Sequence, residues 1–541
     1  MNDCMDDVNY KTKDFSGFEI SPSHPMWMTD THFIYHMHRN DEGEVLWSKD
    51  EIGRHICSPR RLSEICMRFL VSNPIHIARL RLGDVPSDLY PALLTEAIFN
   101  RELHSVQYLI STWPLPVLDV RNVLPLEDNI TYNYLTQPLE GEESLSLTDV
   151  FMYGLLCLKK ESRLKLINFC GFKNDRKLCR ELSRLPFLWF HVEERKSRHF
   201  HSILSKHLNI SVEKIQKYIN KICCIFSNLD PYIPHGEQFG PVTVVFECKV
   251  TLEDVPIGLA LQYETPFRFA CQKVWFEPIS EVIMPFTNIG NVVRLRDITH
   301  LQITDPLLCT EVKKFNDLLE GLLLLPNLTS LSLPNTIHIN VYPNAAHELS
   351  QTIRHLPRLQ KLNLSACNLK ECLDMLLTDL NQHIHFLNLC DCRLSKNDIQ
   401  FLLQWENLKF LQELNLSRND LKNLAYLCVD ILHRMPDIVC FGISYTSLSD
   451  VGLRQIIKKC IECSKLKMIT IQTFTPLPIQ DIYILLNECA QIASLQKCMF
   501  FPDGYAFPGI NEAERVQNRH IMLELCLQCL EQLGRSDICL E

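Results

Sequence analysis

The sequence predicts an α/β solenoid, a horseshoe of stacked strand–helix repeats that follows an N-terminal helical region. Two observations predict this fold class. First, one apolar pattern occurs six times between residues 328 and about 470. Second, the residues between these copies have the apolar spacing of amphipathic helices. The middle apolar residues of the copies are Leu331, Leu362, Leu387, Leu414, Phe441 and Ile469. They lie 25 to 31 residues apart, which leaves room for a strand and a helix in each repeat.

Each copy follows LxxLxLxxN/CxL, the leucine-rich repeat pattern. One strand and one helix cannot bury an apolar face alone, so neighbouring repeats must stack into a continuous core. The sequence therefore predicts a leucine-rich repeat solenoid with its strands on the concave face. The candidate binding residues are polar or aromatic residues chosen by their place on or beside these strands: Asn363, Ser365, Asn388, Asp391, Asn415, Arg418, Tyr445 and Gln472.

Five segments follow one another along the chain. Residues 1–54 lack periodicity and are interpreted as a flexible tail. A helical region is predicted over 55–125, and irregular repeats with a basic insertion over 126–297. Regular repeats occupy 298–500, and a helix within 501–541 is predicted to cap the last repeat.

The helical region opens with a capping serine and a proline, Ser58 and Pro59, which favour a helix start. This helix is predicted to run to about Ser72, because Asn73 and Pro74 stop it. Further helices are predicted over 91–100 and 104–112.

The irregular part contains weaker copies of the strand pattern. Residues 163–172 (RLKLINFCGF) are interpreted as an early repeat strand, 242–250 alternates as a strand does, and 298–303 resembles a degenerate repeat. Near the end, 515–534 is predicted to be an amphipathic helix. Its apolar residues are Ile521, Leu523, Leu525, Leu527 and Leu530.

Composition indicates an intracellular globular protein. The 541 residues are 46% hydrophobic and 22% charged, and the net charge of -10 argues against a nucleic-acid binder. No apolar run is long enough to cross a bilayer, and the acidic N-terminus does not resemble a signal peptide. The 24 cysteines are therefore expected to be reduced thiols in the cytoplasm. A basic stretch with Arg195, Lys196 and Arg198 is interpreted either as a solvated loop or as an acidic-partner or nuclear-import signal.

Motifs that carry chemistry are missing from the sequence. It has no GxGxxG, GxxxxGK[ST], GxSxG or HExxH motif, which argues against an enzyme and against a cofactor. Two CxxC pairs, Cys460 with Cys463 and Cys526 with Cys529, have the spacing of zinc ligands. Both pairs lie in helix-like sequence and are far apart, so core packing is the preferred interpretation and no metal is expected.

Several segments together resemble the PRAME and leucine-rich repeat-containing protein 14 family, from about residue 55 to the end. In chain order they are 58–62 (SPRRL), 85–97 (VPSDLYPALLTEA), 113–116 (WPLP), 269–273 (FACQK), 298–304 (ITHLQIT) and 530–535 (LEQLGR).

The resemblance implies a substrate receptor of a cullin-2 RING ubiquitin ligase, joined to it through elongin B and elongin C. The elongin-C-binding box has the form LxxxCxxx followed by an aliphatic residue. Leu62, Cys66 and Leu70 match it, with Phe69 beside them. The cullin box has the form apolar, Pro, x, x, apolar, x, x, x, apolar, and the residues that match it are Val85, Pro86, Leu89 and Leu93.

The family also leaves other interpretations open. Either box alone is common in amphipathic helices that only cap a repeat array. The second functional hypothesis is a non-catalytic regulator that masks a signalling or transcription partner, restraining inflammatory kinase signalling or nuclear-receptor transcription. In the ligase interpretation the candidate binding residues of the strands would contact the protein substrate.

Overall fold

The structure is a computed structural model of the 541-residue chain. It describes residues 47–49, 55–57, 62–73, 77, 85–124, 147–170, 182, 185, 241–250, 267–276, 295–304, 312–473, 479–499 and 512–540. The chain separates into two compact units, Met1–Ser58 and Pro59–Glu541. In the first unit, strands β1 (Trp47–Lys49) and β2 (His55–Cys57) form an antiparallel pair.

The second unit begins with helices and continues as alternating strands and helices. The described helices are α1 (Leu62–Val71), α2 (Tyr90–Phe99), α3 (Leu103–Ser111), α4 (Val120–Val123), α5 (Leu147–Leu156), α6 (Val312–Leu322), α7 (Ala345–Ile353), α8 (Leu373–Leu377), α9 (Lys396–Gln404), α10 (Ala425–His433), α11 (Asp450–Cys460), α12 (Ile479–Ala490) and α13 (Glu512–Gln532). Short 3-10 turns cover Ser87–Leu89, Leu295–Asp297 and Glu406–Phe410.

The strands of the second unit form one parallel sheet, with 13 strands in the described part of the chain. They are β3 (Val117–Asp119), β4 (Leu166–Asn168), β5 (Val242–Val250), β6 (Phe267–Phe276), β7 (His300–Ile303), β8 (Ser330–Ser332), β9 (Lys361–Asn363), β10 (Phe386–Asn388), β11 (Glu413–Asn415), β12 (Cys440–Gly442), β13 (Met468–Thr470), β14 (Lys497–Met499) and β15 (Cys539–Leu540). Each strand hydrogen-bonds to the strands before and after it in the chain. This order is that of a solenoid, and the predicted fold class is confirmed.

The middle apolar residues of the repeats stack in register, as Leu362 does between Leu331 and Leu387. They are buried because neighbouring repeats cover each of them, and most of the buried apolar residues form one core from Val71 to Leu540. The structure also continues the array beyond the six clear copies. The added middle residues include Leu118, Ile167, Val244, Cys498 and Leu540.

The position that is Asn or Cys in the repeat pattern forms hydrogen bonds between neighbouring repeats. The Cys367 and Cys392 thiols each donate a hydrogen bond to a carbonyl of the preceding repeat, at 3.3 and 3.1 Å. Asn419 occupies the same position and donates to the preceding repeat at 2.7 Å. Burial raises the pKa of the Cys367 thiol to about 11, so it stays protonated as a donor at neutral pH. The structure thus confirms that both cysteines pack in the core.

A buried carboxylate also connects two repeats. Asp398 accepts hydrogen bonds from the backbone N–H of Glu371 at 2.9 Å and of Leu373 at 3.2 Å, where α8 begins. It also accepts from the backbone N–H and the hydroxyl of Ser395, both at 2.7 Å, which closes a capping box at the start of α9. One side chain therefore satisfies the otherwise unpaired donors of two helix starts.

Trp113 joins the N-terminal helices to the first strand of the sheet. Its ring is buried and meets Tyr90 of α2 edge to face, with ring centroids 6.1 Å apart. The indole N–H donates to the carbonyl of Val117 at 3.0 Å, and the Trp113 carbonyl accepts from Arg163 at 2.9 Å. The helices and the repeats consequently share one core.

The C-terminal helix buries only part of the predicted apolar set. In α13, Cys526 and Leu530 are buried, whereas Ile521 and Leu527 are exposed. The difference arises because residues 526 and 530, four apart, share one helix face, and Ile521 and Leu527 lie outside it. None of the helices among the described residues is long and apolar enough to cross a membrane. The basic triplet 195–198 lies outside the described residues, and the five predicted segment boundaries stay predictions.

Candidate partner-binding surfaces

Helix α1 carries the predicted elongin-C-binding residues and has an exposed apolar face. Cys66 is exposed, and Phe69, one turn further on, exposes 65% of its surface. Leu70 is half-buried and packs against the core. Leu62 begins the helix, but its side chain lies outside the described residues. The structure thus brings Cys66, Phe69 and Leu70 onto adjacent positions of one helix surface.

The other side of α1, which begins at Leu70, holds the helix in place. Met67 and Leu70 pack against the core, and Val71 is fully buried. The Val71 carbonyl at the helix end accepts a hydrogen bond from the Ser105 hydroxyl of α3 at 2.5 Å. The helix is therefore anchored by one side, and Phe69 is left on the other.

The predicted cullin-box residues do not form one surface. Val85 packs partly against the core, Pro86 is exposed, and Leu89 exposes 42% of its surface. Leu93 is only 1% exposed and belongs to the core, so it does not share an exposed face with Leu89, and the assignment of a cullin box stays a prediction. The reason is the buried stripe of α2, centred near Leu94, which includes Leu93 and leaves Leu89 outside.

Three predicted binding residues on the strands have structural roles instead. The side-chain carbonyls of Asn363, Asn388 and Asn415 each accept the backbone N–H two residues further on, at 3.0 Å. Asn388 and Asn415 are also buried. The position of a residue on a strand predicts which face of the sheet it lies on. It does not predict the hydrogen bonds that its side chain makes. Asn388 and Asn415 therefore have a structural role, because their buried side chains bond to the backbone and are not accessible to a partner.

Two residues after the asparagine position, serine hydroxyls form a short ladder that links three successive repeats. Ser417 accepts a hydrogen bond from the backbone N–H of Ser444 at 3.0 Å, and Ser444 accepts from that of Gln472 at 3.0 Å. Gln472, a predicted binding residue, is buried at the end of this ladder. Ser365 holds the same position and is half-buried.

The following position forms a surface that we call the loop ridge. In each of five successive repeats a non-glycine residue there adopts a left-handed backbone conformation, with φ between 56° and 60°. Its N–H donates to a carbonyl of the next repeat at 2.6 to 2.9 Å. The residues of the loop ridge are Asn335, Ala366, Asp391, Arg418 and Tyr445.

Three predicted binding residues come together on the loop ridge. Arg418 is exposed, and its guanidinium carbon lies 5.2 Å from the centre of the Tyr445 ring, within the range of a cation–π contact. Asp391 is the ridge residue on the other side of Arg418. Burial raises the pKa of Asp391, and the nearby Arg418 and Arg393 offset part of that rise. An anion, a cation and an aromatic ring therefore stand in line on one side of the repeats.

Two surface residues near these sites were missed by sequence reasoning. Phe99 exposes 58% of its surface at the end of α2, and Arg393 is exposed close to Asp391. The signal for Phe99 was present in the sequence. It lies ten residues after Leu89, which on a helix places it about 80° around the axis from Leu89, on the side away from the buried stripe.

The CxxC pairs do not assemble a metal centre. Cys460, Cys463 and Cys526 are buried, and Cys529 is half-buried. Across the part of the chain that the structure describes, no group of three or more His, Cys, Asp or Glu side chains could hold a metal ion. Burial raises the pKa of Cys526 to about 12, as expected for a thiol packed like a small apolar residue.

Comparison with known proteins identifies relatives over most of the chain. Residues 59–148 match the sequence model of a family described as the PRAME N-terminal domain. The chain is 23% identical over 491 residues to leucine-rich repeat-containing protein 14 of Xenopus laevis, covering 83% of this chain and 89% of that protein. It is 24% identical over 379 residues to Oogenesin-2 of Mus musculus, covering 68% of each. Neither name denotes an enzyme, and the similarity supports a protein-binding role for the repeats.

Proposed function

Because the chain is a member of the PRAME and leucine-rich repeat-containing protein 14 family, we propose that it is a substrate receptor of a cullin-2 RING ubiquitin ligase. Helix α1 docks the elongin B and elongin C pair, and the loop ridge holds a protein substrate. The chain itself performs no chemistry in this assembly. The ligase subunits bring the activated ubiquitin to whatever the ridge has bound.

The observation that carries the proposal is the exposed face of α1 at the start of the matched N-terminal region. A helix that presents apolar residues on one face is suited to a groove on another protein. Burying a phenylalanine such as Phe69 completely is worth about 1.5 to 3 kcal/mol. With Cys66 one turn before it, the face offers a contact about one turn long.

The anchoring of α1 supports a docking role over a purely structural one. A helix that only capped the array would turn its largest apolar side chains inwards. Here Val71 and Leu70 already serve that packing, whereas Phe69 points away from it. A large exposed aromatic residue is the type of side chain that dominates protein interfaces.

The substrate half of the proposal rests on the loop ridge. Its backbone is fixed by hydrogen bonds between successive repeats, so Arg418 and Tyr445 are held in place before a partner arrives. Such preorganisation lowers the entropy cost of binding. Arginine and tyrosine are also enriched among residues that contribute most to binding energy.

Affinity purification of the full chain tests the docking half. Wild type should recover elongin B, elongin C and cullin-2, and the Leu62→Ser, Cys66→Asp double variant and Phe69→Asp should lose all three. Val451→Asp is the matched control, because Val451 is 67% exposed on α11 in the repeats. It should behave as wild type.

Two outcomes would contradict the proposal. Equal recovery of the ligase subunits from wild type and both α1 variants would mean that α1 does not dock them. Recovery from none of the proteins would favour the masking regulator. That alternative predicts a stable complex between the loop ridge and its partner without any loss of the partner by ubiquitination.

A further inference from the structure

The edge of the repeats where the strands begin carries an excess of positive charge. It consists of the segments that run from the last turn of a helix to the first residue of the next strand. Five successive repeats contribute nine lysines and arginines against five aspartates and glutamates, whereas the whole chain has 54 against 64. The segments are 351–361, 375–386, 402–413, 431–440 and 458–468. Positive charge is therefore concentrated at this edge, at the opposite ends of the strands from the loop ridge.

One residue of each segment lines up with its counterparts in the neighbouring repeats. It directly precedes the first apolar residue of the repeat pattern. The His383 ring stacks on the Phe410 ring, with centroids 4.0 Å apart and planes 20° apart. The Lys465 Nζ lies 2.5 Å from a carboxylate oxygen of Asp437. We call the aligned residues the strand-start row, and they are Arg358, His383, Phe410, Asp437 and Lys465.

The charge of Arg358 is not needed by the fold. The side chain is exposed and has no hydrogen bond or ion pair with another residue in the described part of the chain. Arg358 lies five residues beyond the end of α7, whereas a cation compensates the partial charge of a helix end only within the last turn. Lys409 is exposed as well, and its Nζ lies 5.0 Å from the centre of the Phe410 ring. Two cations thus flank the stacked rings.

The stacked rings give the strand-start row an apolar centre. His383 is exposed and Phe410 is half-buried. Arginine and aromatic residues are the types that are enriched at protein interfaces. Because parallel strands lie about 4.8 Å apart, the five residues of the row span about 19 Å. That length corresponds to about six residues of an extended chain.

The charge pattern of the edge favours an acidic protein segment over a nucleic acid. Asp437 in the row and Glu406 in a neighbouring segment interrupt the positive charge. A nucleic acid carries a phosphate at every nucleotide and would meet these carboxylates, and the net charge of -10 adds repulsion at long range. A protein segment can instead place its carboxylates opposite Arg358 and Lys409 alone, with an apolar side chain against the rings.

We propose that the strand-start row binds an acidic segment of a partner protein in an extended conformation. Arg358 and Lys409 pair with two of its carboxylates, and His383 and Phe410 contact an apolar side chain between them. The row is separate from α1 and from the loop ridge. This contact therefore adds to the proposed function and does not depend on docking of the ligase subunits.

Fluorescence anisotropy of the full chain tests the inference with a labelled peptide of about 12 residues, built from Glu-Leu-Asp repeats and long enough to span the row. Arg358→Glu with Lys409→Glu should weaken binding about tenfold or more, because two attractions become repulsions. The milder pair Arg358→Gln with Lys409→Gln should weaken it about threefold. His383→Ala should weaken binding of this peptide and leave that of a Glu-Ser-Asp peptide unchanged.

The matched control is Lys396→Glu with Lys422→Glu. It makes the same charge change at two exposed positions near the starts of α9 and α10, away from the strand-start row. Binding of the Glu-Leu-Asp peptide should stay within about twofold of wild type, because solvent and salt screen charges at that distance. Melting temperatures equal to that of wild type separate loss of binding from loss of folding.

Three results would overturn the inference, and none of them bears on recovery of the ligase subunits. The first is the absence of binding between wild type and the Glu-Leu-Asp peptide. The second is equal weakening by the two charge reversals, which would mean unspecific attraction to any cation of the chain. The third is tighter binding of a labelled uridine oligonucleotide that is lost in Arg358→Glu with Lys409→Glu, which would assign the row to nucleic acid.

Discussion

Asp398 is expected to be among the most sensitive polar residues of the array, because it serves two repeats at once. Replacement by alanine removes the acceptor for the backbone N–H groups of Glu371 and Leu373 and for the Ser395 capping box. Leu373 is fully buried, so water cannot reach its N–H easily. The substitution therefore leaves a buried donor unpaired as well as removing a cap.

The magnitude follows from these two losses. A buried unpaired donor costs about 1 to 3 kcal/mol and a lost cap about 1 kcal/mol, so Asp398→Ala should lower the free energy of unfolding by about 2 to 4 kcal/mol. Asp398→Asn keeps one carbonyl oxygen and should lose less. Asp420→Ala is the matched control, because Asp420 is exposed and accepts only one bond, from Lys422 at 3.2 Å. It should stay close to wild type.

Urea unfolding followed by circular dichroism measures the loss, and amide hydrogen exchange locates it. The amides of Glu371 and Leu373 should exchange faster in Asp398→Ala, although they precede the substituted residue by 25 residues or more. The reasoning would be refuted if Asp398→Ala unfolded within about 0.5 kcal/mol of the Asp420→Ala control, the scatter of ordinary surface substitutions. Protection changes confined to α9 would likewise refute the link between repeats.

Three further outcomes are expected. Gly154→Ala should destabilise the chain by about 1 to 3 kcal/mol in urea unfolding, because a Cβ there would lie 2.8 Å from the Cβ of Ile110, and adding Ile110→Ala should not restore the loss, because alanine keeps that Cβ. Burial and Arg393 lower the pKa of His338, so the unfolded chain takes up this proton first as the pH falls through about 6.5. The free energy of unfolding should therefore fall as the pH is lowered from about 7.5 to about 5.5, and it should fall less in His338→Gln. A short pulse of iodoacetamide at neutral pH, read by mass spectrometry, should modify exposed Cys66 and leave Cys390, whose pKa burial raises to about 12.

The solenoid was predictable because its physical requirement is simple. Every repeat must place one apolar residue in the middle of its strand, and six copies meet that requirement with residues that match the pattern closely. The outer copies were harder to recognise. Their middle residues Ile167, Val244 and Cys498 pack in the same way, although these copies do not follow the leucine-rich repeat pattern closely. An apolar middle residue is sufficient for stacking, whereas recognition in the sequence needs several consensus residues together.

The binding surfaces were less predictable because exposure depends on neighbours from other repeats. Leu93 matched a motif, yet the stripe it belongs to is buried against the core. Asn388 and Asn415 stood at polar strand positions, but their side chains pair with their own backbone two residues on. Register alone selected Arg418 and Tyr445, which are exposed and half-exposed, and their role in binding stays a prediction. The register predicted which residues are neighbours and could not predict which of them remain accessible.

The backbone of the loop ridge gives a separate reason to place the partner there. A left-handed conformation costs a side chain about 1 to 2 kcal/mol that glycine avoids, and bulky residues rarely adopt it. The chain has only 17 glycines, and none stands at these five positions. Both Arg418 and Tyr445 adopt this conformation, although Arg418 is exposed to solvent and Tyr445 is half-exposed. Packing in the core does not require those side chains, which is why the proposal places a substrate at the ridge rather than at the asparagine-lined strands.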